Sequence, residues 1–394
     1  MVSLLSAGDG MKRSHQYRAG RYVSQSSGYR AFIPENLPPD PEIDFDLELR
    51  TLLSNADRAL GRLDGATGFL PNPDLFVFMY VRKEAVLSSQ IEGTQASLID
   101  VLEFEVQALD AGKPQDVAEV VNYLEAMNYG LERLQELPLS LRLIREIHER
   151  LLSRVRGQER LPGEFRRSQN WIGPQGCGLR EALFVPPPPA EMNAALHHLE
   201  KFLHDPTPIP FLIKAGLVHA QFETIHPFLD GNGRVGRLLI TFLMCEQQVL
   251  QRPLLYLSYF FKRHRTEYYD RLQAVRDTGA WENWLKFFLR GVYEVSHEAT
   301  DTARKIVYLR EQHRELVRQK VRRGTARALH LLESLYQRPV LSVKSASDRV
   351  DLSFANANKL IDTFVSLGLL AEMTGNRRNR LFSYEPYLGL FKEE

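Results

Sequence analysis

His226-Pro227-Phe228-Leu229-Asp230-Gly231-Asn232-Gly233-Arg234-Val235-Gly236-Arg237 is the stretch whose reading decides the fold. It joins an imidazole, a carboxylate, a Gly-Asn-Gly turn and two arginines three residues apart. A glycine-flanked turn that opens a helix leaves backbone N–H groups uncommitted, and such groups hold phosphate oxygens well. Residues 208–225 read as the helix that delivers His226, and residues 233–250 as a mostly buried helix that leaves the turn. The turn is therefore anchored on both sides, and the kit suits a nucleoside triphosphate.

The bulk of the chain is ordinary for a soluble protein. Its 394 residues suffice for two or three domains and a sizeable core. Fifty Lys and Arg against 49 Asp and Glu leave no global field to steer the molecule to nucleic acid or membrane. Cys177 and Cys245 are the two cysteines, far apart and without metal-ligand spacing, which fits a reducing compartment. No apolar run is long enough for a bilayer and no signal peptide is visible, so a cytoplasmic location is expected.

Outward from the motif, the pattern is helix upon helix. Residues 1–30, rich in Ser, Gly, Arg and Tyr without periodicity, read as a weakly ordered tail. Residues 31–112 read as an N-terminal helical region, 113–300 as a core and 301–324 as a charged connecting helix. Within the core, Asn170-Trp171-Ile172 and Ala182-Leu183-Phe184-Val185 suit two short strands around a glycine-rich turn, closed by Pro186 to Pro189 as a stiff connector. Trp281, Trp284, Phe287, Phe288 and Val292 read as core. Residues 325–394 follow the outline of a winged helix-turn-helix, with a hairpin across Gly375-Asn376. The fold class expected is all-α, with a short β-hairpin and this C-terminal module.

The block His226 to Arg237 resembles the Fic signature H-P-F-x-[DE]-G-N-G-R-x-x-R at every fixed position. The similarity extends from about Phe32 to Val292, through strings such as Pro162-Gly163-Glu164-Phe165-Arg166. Family members mostly transfer AMP from ATP to a hydroxyl side chain of a protein, releasing pyrophosphate, and the resemblance implies that activity here. The chemistry asks for a base on the attacking hydroxyl, which an imidazole near its neutral pKa suits, and His226 is the candidate. Spread negative charge in the transition state asks for positioned donors and cations. Gly231, Asn232, Gly233, Arg234, Val235, Gly236 and Arg237 are the candidate phosphate-binding set, and Phe228 is the inward anchor. The resemblance places Mg²⁺ on Asp230. It also places Tyr269, and with it Tyr268, near the adenine.

Ser88-Ser89-Gln90-Ile91-Glu92-Gly93 matches the inhibitory pattern [ST]-x-x-x-E-[GN] of many Fic proteins, in the subclass carrying it ahead of the core. Ser88 and Glu92 are four residues apart and share a helix face. The resemblance pairs Glu92 with Arg237, where a carboxylate would compete with phosphate for the same guanidinium fork. Residues 170–185 stand where Fic proteins carry a flap that pairs with a target protein's extended segment. Self-modification and a homodimer are further expectations. Another nucleotide donor on the same fold is the alternative. The C-terminal module could bind DNA through Asn356, Asn358, Lys359, Arg377, Arg378 and Arg380, with protein recognition ranked above it. His197, His198 and His204 lack a ligand set and read as a solvated helix face.

Overall fold

Apolar residues recur at helical spacing along most of the chain. The computed structural model, which describes residues 17–68, 73–107, 115–174, 176–206 and 208–391, is helical accordingly. Strands β1 (Gly20–Ser24) and β2 (Arg30–Pro34) come first. Helices α1 (Leu47–Thr67), α2 (Pro73–Ile91), α3 (Leu98–Gln107), α4 (Gln115–Arg133) and α5 (Leu141–Leu151) follow. Then come α6 (Pro189–Leu203), α7 (Phe211–Ile225), α8 (Asn232–Glu246), α9 (Ser258–Arg263), α10 (Arg265–Thr278) and α11 (Trp281–Lys320). The chain ends with α12 (Thr325–Gln337), β3 (Val340–Ser342), α13 (Val343–Val350), α14 (Phe354–Ser366), β4 (Ala371–Glu372), β5 (Leu381–Ser383) and α15 (Glu385–Leu388). Among the described residues no helix is long and apolar enough to cross a membrane.

Two compact units interleave along the chain. The first takes the described residues up to Leu53, Phe165–Asn232 and Thr266–Leu289; the second takes Ser54–Glu164, Gly233–Arg265 and the residues from Arg290 onward. They cut across the boundaries expected at 112, 300 and 324, because helices distant in sequence share one core. No turn interrupts α11 at residue 301, where the connecting helix was expected to begin.

In the first unit α7 is buried along nearly its whole length, which its sequence FLIKAGLVHAQFETI allows on every face. Gly216 lets α11 approach closely: a Cβ there would lie 2.9 Å from Leu285 Cδ2. Trp284 Nε1 donates to the Gly216 carbonyl at 2.8 Å, so the tryptophan is core, as expected. Residues 1–16 of the expected tail lie outside the described residues, but from residue 17 the expectation of weak order is wrong. β1 and β2 form an antiparallel ribbon, with Gly20 opposite Pro34 and Ser24 opposite Arg30. Tyr22 packs edge-on against Phe32 at 5.1 Å, and the Phe32 N–H donates to the Val185 carbonyl at 2.9 Å. Cross-strand aromatic contact of this kind stabilises a ribbon without any helical periodicity to announce it. Gly20, at φ +140°, admits no side chain, since a Cβ would sit 2.3 Å from the Ile33 carbonyl oxygen.

The expected strands at 170–185 contract to one antiparallel bridge between Ile172 and Phe184, whose two N–H···O bonds measure 2.8 and 3.1 Å. The intervening chain folds into a single 3₁₀ turn at Leu179–Glu181, which shortens the ladder. Pro186 and Pro187 are buried, consistent with a connector.

In the second unit α2 packs on α4 and α9, and α4 on α5. Gly130 of α4 accommodates Phe242 of α8, whose ring would stand 2.3 Å from a Cβ at that position. In the C-terminal module the hairpin expected across Gly375-Asn376 forms between β4 and β5, and β3, which the sequence did not indicate, adds to β5 on the other side; the arrangement is compatible with a winged helix-turn-helix. It is not a separate ball: α12 packs against α2, and Phe391 meets Tyr80 of α2 edge-on at 5.5 Å.

Candidate active site

The boundary between the units falls between Asn232 and Gly233, so the twelve motif residues are described in two halves. In the first unit α7 ends at His226, whose backbone is left-handed at φ 49° and ψ 61°. A side chain other than glycine enters that region at a cost of about 1–2 kcal/mol, so the surroundings must hold it. They do. Arg166, 1% exposed, donates from Nε to the His226 carbonyl at 3.0 Å and from Nη2 to the Pro187 and Ile225 carbonyls at 2.5 and 3.4 Å. Its own N–H donates to the Pro227 carbonyl at 2.9 Å. The Ile225 and His226 carbonyls lie at the negative end of α7, a favourable place for a cation. Burial nonetheless pushes the guanidinium down to about 10. Asn170 adds bonds from Nδ2 to the His226 and Phe228 carbonyls at 3.2 and 2.8 Å.

The His226 ring is half-buried, and Nδ1 lies 3.3 Å from the Glu223 carbonyl. A carbonyl can only accept, so Nδ1 carries the proton and the lone pair falls on Nε2, the state a general base needs. Phe228 is buried against Phe165, with ring centroids 5.2 Å apart, the anchor expected of it. Asn232 closes the loop: Oδ1 accepts from the Phe228 N–H and Nδ2 donates to the Phe228 carbonyl, both at 2.8 Å. That side chain, 2% exposed, is a clip on the turn rather than a displayed phosphate donor. Asp230 Oδ1 accepts from the Gly231 N–H at 2.6 Å, a cap beside the start of α8. Mg²⁺ takes one or two carboxylates together with phosphate oxygens and water. Asp230, with Oδ1 turned to the Gly231 N–H, would supply one such carboxylate, so a Mg²⁺ held here would take its other ligands from bound phosphates and water; among the described residues no group of three His, Cys, Asp or Glu could hold a metal.

In the second unit the first turn of α8 meets the end of α2. Arg237, 3% exposed, donates from Nε to Ser88 Oγ at 2.8 Å, from Nη2 to the Ser88 carbonyl at 2.9 Å, and from Nη2 to Glu92 Oε1 at 2.8 Å. Ser88 and Glu92, four residues apart, thus grip one guanidinium, as the sequence predicts. Gly233 is where the carboxylate rests: a Cβ there would stand 2.2 Å from Glu92 Oε1. Gly93, at φ +99°, ends α2 and turns the chain away. Val235 and Gly236 are buried and fix the helix.

Two carboxylates behind this contact escaped the sequence reading. Glu84, one helical turn before Ser88 and fully buried, accepts from Ser258 Oγ at 2.5 Å and Tyr123 Oη at 3.2 Å. Burial raises its carboxyl to about 7. Glu119, 1% exposed, accepts from Thr94 Oγ1 at 2.9 Å and pairs with Arg156 at 3.2 Å. Arg234 Nη1 lies 3.9 Å from the same carboxylate, so this arginine is buried beside a counter-charge. Tyr268 and Tyr269 differ in burial although their rings touch. Tyr268 is core, its hydroxyl 2.9 Å from His219 Nε2, whereas Tyr269 is 41% exposed with its ring centroid 5.0 Å from that of Tyr268. His197 and His198 are exposed on α6, as expected.

Residues 50–132, with Ser88 and Glu92, match the Fic/DOC family N-terminal model, and residues 138–244, with the whole twelve-residue motif, match the Fic/DOC family model. The chain thus carries a Fic/DOC N-terminal domain and a Fic/DOC domain. A Fic chain from Aedes aegypti described as protein adenylyltransferase Fic is 31% identical over 224 residues, covering 52% of this chain and 41% of that one. Its counterpart from Drosophila grimshawi is 29% identical over 220 residues, covering 54% and 40%. The matches thus span about two fifths of the length of these curated relatives. Among solved structures, a Fic family protein from Desulfovibrio desulfuricans G20 shares the fold with a TM-score of 0.56 at 18% identity, covering 87% of this chain and 97% of that one.

Proposed function

We propose that this Fic chain transfers AMP from ATP to a tyrosine, threonine or serine hydroxyl of a protein, releasing pyrophosphate, and that its resting form withholds the reaction. The observation that carries the reading is the Glu92 carboxylate seated on Arg237 and against Gly233 at the first turn of α8. A helix start with a guanidinium beside it is an anion site, and here an anion of the chain itself already occupies it. The names of the curated relatives support adenylyl transfer in particular.

In this reading the target hydroxyl gives its proton to His226 Nε2 as its oxygen attacks the α-phosphorus. The bond to the oxygen bridging the α- and β-phosphorus breaks, and pyrophosphate carries that electron pair away. Arg166 and Asn170 hold the His226 carbonyl and so fix the imidazole at the end of α7. Backbone N–H groups at the start of α8 and the Arg237 fork hold the triphosphate once Glu92 withdraws. Mg²⁺, when bound through Asp230, neutralises phosphate charge. A target segment pairs along the edge beside the Ile172–Phe184 bridge through main-chain bonds, with little demand on its sequence. Self-modification and a homodimer belong to the same reading.

Incubation with labelled ATP and Mg²⁺, read by intact mass, tests it. Glu92→Gly should raise incorporation about tenfold or more, the scale of one lost charged hydrogen bond, and His226→Ala should abolish it. Equal labelling of wild type and Glu92→Gly would remove the brake. An added mass other than that of AMP would assign a different donor.

A further inference from the structure

A guanidinium partly withdrawn from water without a carboxylate partner carries a cost, and α13 holds a half-buried one, Arg349. Among the described residues, Arg349 donates to two neutral oxygens, Ser334 Oγ at 3.5 Å and the Arg338 carbonyl at 3.3 Å. Both bonds are long. Burial first, and then the charge of Arg338, push Arg349 down to about 10. Glu105 of α3, which lines the same cavity, is already taken: Arg82 of α2 grips it with Nε at 3.0 and 3.1 Å and Nη2 at 2.7 Å. Burial and the charge of Arg338 lower Arg82 too. Glu105, already held by Arg82, therefore shares one cavity lining with two further arginines, Arg338 and Arg349.

Beside them opens a cavity of about 100 Å³, lined by Glu105, Arg338, Ser345, Arg349 and apolar side chains of α3 and β3. A single water needs roughly 10–15 Å³ on this measure, so the space takes several waters or one small ion. No residue of the His226–Arg237 motif lines it. Guanidinium forks match the oxygens of a phosphoryl group in geometry and charge.

We propose that this cavity binds a small phosphoryl oxyanion between Arg349 and Arg338. The anion supplies the counter-charge that the cluster lacks, and it ties α3, which follows the brake-bearing α2, to α13 of the C-terminal module. The site is independent of AMP transfer and stands whether or not that reading holds.

Inorganic phosphate titrated calorimetrically into the full chain, at constant ionic strength with chloride as control, tests the assignment. Saturable binding should weaken about tenfold or more in Arg349→Gln and in Arg338→Gln, and should persist in Arg237→Ala, which removes any phosphate held by the Fic motif. Arg338 is exposed, so its variant keeps the test valid should Arg349→Gln fold poorly. A phosphoserine peptide run in parallel separates the two sources of the group: tighter binding than phosphate assigns a phosphoryl carried on a chain, and equal or weaker binding assigns the free ion. Wild type indistinguishable from both arginine variants, binding lost solely in Arg237→Ala, or no heat beyond the chloride control would each overturn the proposal.

Discussion

Gly233 sets how close the Glu92 carboxylate can sit to the first turn of α8. Because a Cβ at this position would lie 2.2 Å from Glu92 Oε1 and 2.9 Å from Arg237 Nη1, Gly233→Ala should destabilise the protein by about 1–3 kcal/mol through overpacking. In a Glu92→Gly background the main obstacle is gone, and alanine is the better helix former, so the cost should vanish or change sign. Urea denaturation of the four members of that cycle measures the coupling; additive effects would mean that Glu92 does not rest there. Glu84 offers a pH test on the same helix face. Its carboxyl is raised from 4.5 to about 7, so its contribution to stability is full below about pH 4.5 and is lost as pH rises through about 7. Glu84→Gln should flatten that decline, with a gain of roughly 3 kcal/mol at most at pH 8 and little difference at pH 4. An unchanged pH slope would show that Glu84 does not titrate in this window.

At the scale of elements, the site depends on how helices end. The end of α7 is a left-handed histidine held by Arg166, and losing that side chain would take away the Pro187 carbonyl's donor and leave the His226 carbonyl to Asn170 alone. Arg166→Met should cost about 2–4 kcal/mol and lower transfer as well, measured by thermal melting beside the labelling assay. At the bridge, Ala182 already has φ −64° and ψ 140°, a conformation that accepts a following proline. Leu183→Pro should therefore leave the fold intact and depress modification of a target protein more than ATP binding; equal losses would argue against edge pairing. Much of this was legible in the chain: the helices around the turn, the Glu92–Arg237 pair and the inward Phe228 follow from glycine placement, i to i+4 spacing and the signature. Arg166 was not, because its partners are carbonyls, and main-chain acceptors leave no trace in side-chain identity. The β1–β2 ribbon was missed for a related reason, since Gly20, Tyr22 and Phe32 pair across strands instead of repeating along one. Asn232 misled in the opposite direction, a polar side chain in a binding motif that is spent closing its own loop.

For the molecule as a whole, the C-terminal module and the Glu92–Arg237 contact share the second unit. Phe391 on Tyr80 and α12 on α2 bury the helix that ends in Glu92. A chain ending at Lys320 should expose that face of α2, and hydrogen exchange of α2 amides should rise by an order of magnitude or more relative to the full chain. Unchanged protection would show that the module is an independent appendage. The DNA-reading face expected on α14 is partly consumed, because Arg380 donates to Asn358 Oδ1 at 2.7 Å and Asp362 lies beside it.

The grip of Ser88 and Glu92 on Arg237 also makes the end of α2 a tethered ligand. A group attached to the same chain competes at a fixed effective concentration, set by the stiffness of its attachment and not by its abundance. The threshold of nucleotide at which such a protein would wake is then a mechanical property of one helical turn: whatever frays the residues before Gly93 lowers it, and whatever stiffens them raises it.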